Sequence, residues 1–143
     1  MKLSTKGRYG IHAMFDLAQQ GMDTPQPLKA IADRQIIPEA YLEQLMAVLR
    51  RAGLVRSVRG AQGGYLLSAP PNQTTVGSVL RALEGGLALE DCLEEGACDK
   101  ACKCPTRLVW QKVHDGLNEI VDGITLQDML DDQKRLIEGE ITL

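Results

Sequence analysis

Aromatic residues are scarce in this 143-residue chain: one Trp, three Tyr and one Phe make up 3% of it, against 44% hydrophobic residues overall. A core must then be assembled from Leu, Ile, Val, Met and Ala, which favours helices over a sheet sandwich, since strands draw on aromatic and β-branched side chains. Histidine is limited to two residues, His12 and His114. Neither belongs to a nucleophile-and-base arrangement that could build an acid–base centre, so the chain is not read as an enzyme. No apolar run approaches the roughly 18 residues of a membrane span. The opening Met1-Lys2-Leu3-Ser4-Thr5-Lys6-Gly7-Arg8 carries no apolar leader segment, so a cytoplasmic location without a membrane partner is expected.

Cysteine is absent everywhere except in one stretch, where Cys92, Cys98, Cys102 and Cys104 fall together. Five residues separate Cys92 from Cys98 and five separate Cys98 from Cys104, with Cys102 as an extra thiol. In a reducing compartment such a cluster more often binds metal or senses redox than forms structural disulfides. The surrounding Glu90, Asp91, Glu94, Glu95 and Asp99 leave the stretch little of its own to bury.

The net charge of −3 is unevenly spread. Residues 1–71 hold nine Lys/Arg against five Asp/Glu, or +4; residues 72–143 hold seven against fourteen, or −7. The first half can meet a polyanion and the second would be repelled by it.

Apolar spacing predicts a first helix from Thr5 to Gln20, burying Gly10, Ala13, Met14, Leu17 and Ala18, and a short second helix from Leu28 to Arg34. A third, from Pro38 to Ala52, buries Leu42, Leu45, Met46 and Leu49 and turns Ala40, Glu43, Gln44, Ala47 and Arg51 outward. That outward face mixes small with hydrogen-bonding side chains, as a recognition helix requires. The β-branched, basic Leu54–Arg59, the turn residues Gly60–Gly64 and then Tyr65-Leu66-Leu67 read as a hairpin. A phosphate-cradling loop would need a helix after the glycines, and Ser68-Ala69-Pro70-Pro71 blocks one. Helix, turn, helix and hairpin make a winged helix, with Arg59 at the wing tip able to enter a minor groove. Further helices are predicted over Thr75–Glu84, Pro105–Asp122 and Thr125–Ile137. The stripes of the last two exceed what one small winged helix needs, so a dimer interface is expected on Trp110, Val113, Leu117, Ile120 and Val121.

The fold class is therefore mainly α with a small β-hairpin. It comprises a winged helix-turn-helix over 1–84 with its wing at about 54–67, a cysteine loop over 85–104, and a dimerisation helix with a C-terminal helix over 105–143. The partners expected are a double-stranded DNA operator and a second copy of the chain. The DNA-facing set is Lys6, Arg8, Glu39, Ala40, Tyr41, Glu43, Gln44, Arg51, Arg59 and Gln62.

Lys2–Tyr9, Tyr41-Leu42-Glu43-Gln44-Leu45, Gly53-Leu54-Val55, Val58-Arg59-Gly60, Gly63–Leu67 and Ile124-Thr125-Leu126 together resemble the IscR-type iron–sulfur cluster regulators of bacteria, which are winged-helix transcription factors. The resemblance implies a homodimer that holds a 2Fe-2S cluster through three cysteines and a histidine. It also implies that clustered and cluster-free forms prefer different DNA sites, and that the regulated genes include those for cluster assembly. Cys92, Cys98 and Cys104 match the three ligand cysteines. The histidine of that family lies three residues after the third cysteine, where this chain has Arg107, a side chain with no lone pair to offer. The fourth ligand is left between Cys102 and His12. Zinc and a thiol redox switch are the alternative uses of the cysteines, though neither five-residue gap suits a zinc knuckle. A regulator that senses a metabolite without any cluster is a further alternative.

Overall fold

The computed structural model describes residues 3–87, 93 and 103–143. Six helices and one hairpin follow in the order α1 (Thr5–Gln20), α2 (Leu28–Gln35), α3 (Glu39–Arg51), β1 (Val55–Val58), β2 (Gly64–Leu67), α4 (Val76–Glu84), α5 (Pro105–Gly123) and α6 (Leu126–Ile137), with a 3-10 turn at Pro71–Gln73. The hairpin pairs antiparallel, with Val55 opposite Leu67 and Val58 opposite Gly64.

The core is aliphatic, as the shortage of aromatics requires. Met14 and Leu17 of α1, Ile31 of α2, Leu42, Met46 and Leu49 of α3, Leu67 of β2 and Leu126 of α6 are all fully buried in it. At the α1–α4 contact a Cβ on Gly10 would stand 1.9 Å from Leu83 Cδ1, so glycine leaves the space that the Leu83 side chain fills. Glu84 ties the same contact by accepting from the Gly7 N–H at 3.0 Å and from the Ser4 hydroxyl.

One polar group is sunk into this core, and no periodicity announced it. Asp16 is fully buried, and Arg34 of α2 meets it with two parallel bonds, Nε to Oδ2 at 2.9 Å and Nη2 to Oδ1 at 2.7 Å. Gln35 adds a third at 3.0 Å. The pairing with Asp16 raises the pKa of the Arg34 guanidinium further, by hydrogen bonding first and by charge. A carboxylate with three charge-assisted or amide donors is the condition under which such a burial is tolerated.

Between α2 and α3 the chain turns at Ile36, which holds φ 55° and ψ 49° with its side chain 86% exposed. A β-branched residue in the left-handed region clashes with its own backbone at a cost of roughly 1–2 kcal/mol, and here no packing offsets it. Replacing Ile36 with glycine is expected to stabilise the chain by about 0.5–1 kcal/mol, less than the strain because glycine has more freedom to lose on folding. Urea denaturation checks this; an unchanged or lower midpoint contradicts it.

The C-terminal helix corrects part of the expectation about surplus apolar surface. The Thr75 hydroxyl caps α4 by accepting from the Ser78 N–H at 3.1 Å, and its neighbours bind the α5–α6 junction. Val76 N–H donates to Ile124 O at 2.8 Å, and Leu126 N–H donates to Thr74 O at 2.9 Å. Thr125 and Asp128 cap α6 reciprocally, by Thr125 N–H to Asp128 Oδ2 at 2.8 Å and Asp128 N–H to Thr125 Oγ1 at 3.1 Å. Thus anchored, α6 lies back on α1 with Leu126 in the core and Met129 and Leu130 packed against it. The first half of its stripe is spent within the chain, while Leu136 and Ile137 at its end and much of the α5 stripe stay exposed.

Candidate nucleic-acid interface and thiol site

The candidate interface is carried by the start of α1, by α3 and by the hairpin. Leu42, Leu45, Met46 and Leu49 bury one side of α3 and thereby fix which side faces out. Glu39, Ala40, Glu43, Gln44 and Arg51 are exposed on that helix, Arg59 and Gln62 on the hairpin loop, and Lys6 and Arg8 on the first turn of α1. Nine of the ten residues expected to face DNA are therefore free to reach a ligand. Tyr41 differs from the other nine in exposure: it is half-buried, packs on the core and meets Tyr9 edge-on with ring centroids 5.8 Å apart, so only part of its side chain is open to a ligand. Its position on the wheel lies at the margin between the two faces, where aromatic bulk turns inward. Arg50, which the outward face did not include, is exposed and braces the wing through Ser57 Oγ at 3.5 Å.

The wing is wider than two strands. Gln26, in the loop before α2, bridges to Tyr65 by two backbone bonds, N–H to O at 2.9 Å and O from N–H at 2.8 Å. Gly64 allows this approach, because a Cβ there would stand 2.2 Å from Gln26 O. The Gly63-Gly64 pair thus serves strand pairing, in agreement with reading the glycine-rich loop as a hairpin.

At the other end of the chain, α5 leans on α4. Arg81 donates to Asn118 Oδ1 at 2.8 Å and pairs with Asp122. Val121 is on this inward side and only 7% exposed, so its assignment to a dimer interface is corrected: it packs within its own chain. Trp110, Val113 and Ile120 are exposed, Leu117 is half-buried beside them, and Val109 and Ile124 extend the same stripe. Val109 was missed because it falls outside the strict heptad, although it lies one turn before Val113.

Cys104 stands at the N-terminal boundary of α5, just before Pro105. Its sulfur lies 2.9 Å from Thr106 Oγ1, and that hydroxyl, with the Arg107 backbone N–H next in strength, draws the thiol pKa below its ordinary value. Arg107 also contributes its positive charge. A thiolate at a helix N-terminus is a soft, available donor, which fits an iron–sulfur ligand and equally a zinc ligand or a reactive thiol. Cys92, Cys98 and Cys102 lie outside the described residues. His114 is occupied on both ring nitrogens, by Leu87 O at 3.1 Å and by Asn118 Nδ2 at 3.1 Å, and serves to tie α5 to the end of the α4 segment. His12 is exposed on α1. Among the described residues no helix is long and apolar enough to cross a membrane.

Comparison with known proteins agrees with this architecture. Residues 3–132 match the family model Rrf2, described as an iron-dependent transcriptional regulator. CymR of Bacillus subtilis is 43% identical over 129 residues, covering 90% of this chain and 89% of CymR. Its solved structure, described as that of the global cysteine regulator, superposes with a TM-score of 0.76 at 42% identity over 90% of this chain and 95% of that one. IscR of Vibrio campbellii is 38% identical over 136 residues, covering 95% of this chain and 81% of the relative. The solved structure of T. potens IscR gives a TM-score of 0.79 at 48% identity, over 100% of this chain and 93% of that one.

Proposed function

This chain belongs to the Rrf2 family of transcriptional regulators and not to an enzyme family, and we propose that it is a cytoplasmic homodimer whose choice among DNA operators depends on a 2Fe-2S cluster. The observation that carries the cluster is the run of three evenly spaced cysteines ending at Cys104, a thiol set at a helix start where its charged form is favoured. Cys92, Cys98 and Cys104 would hold it. Bound there, the cluster supplies a one-electron centre whose loss or oxidation is a signal. Arg107 steadies the Cys104 thiolate through its backbone N–H and its charge, but cannot complete the ligand set. That place falls to Cys102 or to His12 of a partner subunit, and His114 is spoken for. The genes controlled would include those for cluster assembly, by the similarity to IscR.

A second reading has specific support. CymR, described as a cysteine regulator, is as similar to this chain as the IscR relatives are, and a missing histidine ligand suits a thiol-based or zinc-based sensor. Anaerobic purification with absorption spectra and iron analysis separates the two. The cluster reading expects a coloured protein with about two irons per chain; a colourless protein carrying zinc or no metal contradicts it.

On the DNA side, Glu43 can accept from cytosine N4 or repel a phosphate, while Gln44 can pair with adenine N6 and N7. Glu43→Ala is expected to relax sequence preference more than it weakens binding, with a change of about 1–3 kcal/mol in discrimination at one base pair. Selection from a random duplex pool reads this directly. A uniform loss of affinity at every site contradicts it.

A further inference from the structure

One buried amide stands where the helix-turn-helix and the wing are joined. Gln26 is 8% exposed, and its Oε1 accepts from Arg34 Nη2 at 2.9 Å while its Nε2 donates to Thr24 O at 3.0 Å. Arg34 lies in the last turn of α2, two residues before the turn into the recognition helix, and is itself fixed by Asp16. The backbone of the same Gln26 carries the two bonds to Tyr65 of the wing. A single residue is therefore gripped by its side chain from the recognition unit and grips the wing by its main chain. A two-stranded ribbon alone has little intrinsic stability, so its direction must come from what it is tied to.

We propose that Gln26 is a positioning residue for DNA recognition: through Arg34 it fixes the wing, and with it Arg59, at one angle to α3. The inference rests on the reading that the wing contacts DNA, and it assigns the wing's aim to a side chain that touches no DNA. Loss of the Arg34–Gln26 bond leaves the Arg34–Asp16 pair in place, so the domain stays folded while the wing gains freedom.

The test compares Gln26→Leu with Gln26→Glu, which keeps an oxygen for Arg34, and with Gln26→Asn, whose shorter reach loses Arg34 in a milder way. Hydrogen exchange without DNA is expected to speed up by about tenfold or more at Tyr65 and along β2 in the Leu and Asn variants, with α1 amides unchanged and the Glu variant, which keeps the Arg34 bond but loses the one to Thr24 O, closer to the parent than the Leu variant is. Unchanged wing exchange, or a rise shared equally by α1, overturns the proposal. Binding is measured on a duplex recovered from a random pool by the unaltered protein. Arg59→Ala alone should weaken binding, and Gln26→Leu should add nothing further in that background, because both act through the wing. Losses that add in full overturn the proposal. If Arg59→Ala binds like the parent, the wing contact with DNA is what fails, and the exchange data still decide the role of Gln26.

Discussion

Replacing Arg34 with methionine is expected to destabilise the chain by about 3–5 kcal/mol, the range for breaking a buried ion pair on one side. The reason is asymmetry of burial. The Asp16 side chain is 1% exposed and that of Arg34 is 36% exposed, so removing the arginine strands a carboxylate in the core with only Gln35 as a donor. Removing the acid is milder. Asp16→Asn leaves an oxygen for Arg34, whose partly exposed head can reach water, and should cost about 1–2 kcal/mol, the range for one impaired hydrogen bond. Joint replacement by Asp16→Leu and Arg34→Met should recover most of the loss, since an apolar pair of similar volume needs no compensation. Urea denaturation of the three variants checks the order. An Arg34→Met loss under about 1 kcal/mol contradicts it.

Placing a glutamate at Ile120 is expected to leave the fold intact and to lower operator affinity by about 100-fold, equivalent to about 2.7 kcal/mol. Ile120 is 63% exposed on α5, so its substitution removes nothing from the core of its own chain. In a two-fold dimer the new carboxylates enter one interface twice, and a desolvated, unpaired charge costs several kcal/mol. A monomer presents one recognition helix to one half-site and loses the second. Sedimentation should show the monomer, with thermal stability close to that of the monomeric parent fold. A dimer that persists with full operator affinity contradicts the assignment of α5 as the interface.

These two predictions mark the boundary of what could be read from residues alone. The helix-turn-helix was legible because α3 carries Leu42, Leu45, Met46 and Leu49 at strict spacing, and the hairpin because Val55 and Val58 precede a cluster of turn glycines, Gly60, Gly63 and Gly64. The start of α5 was legible from Pro105 following Cys104. Asp16 was not, because its partners lie 18 and 19 residues away and a single acid between Phe15 and Leu17 reads as solvated. The destination of α6 was hidden for a different reason. An apolar stripe is the same whether it meets its own domain or a second copy, and only the paired main-chain bonds at Thr74–Val76 and Ile124–Leu126 turn this one back. Tyr41 and Val121 sit at the edges of their helical faces, where a few degrees of rotation decide between packing and exposure.

The thiol site was legible as a set of ligand types but not as a completed site. The resemblance to the IscR-type regulators picked out Cys92, Cys98 and Cys104, and showed Arg107 standing where their histidine would be. The structure adds what favours the Cys104 thiolate, through Thr106 and the start of α5, and shows His114 bonded on both ring nitrogens. The proposed sensor thus lies at the head of the helix proposed to join two protomers. A change there would alter how two recognition helices are presented, which is the proposed link between cluster and operator choice.

The direct test is to measure binding of the anaerobically reconstituted and the cluster-free protein to one common set of operator duplexes at fixed salt. The account predicts that the two forms rank the duplexes differently, with at least one site bound about tenfold or more tightly by one form, and that Cys104→Ala protein ranks them as the cluster-free form does. Identical rankings for both forms, with Cys104→Ala unchanged, would contradict it.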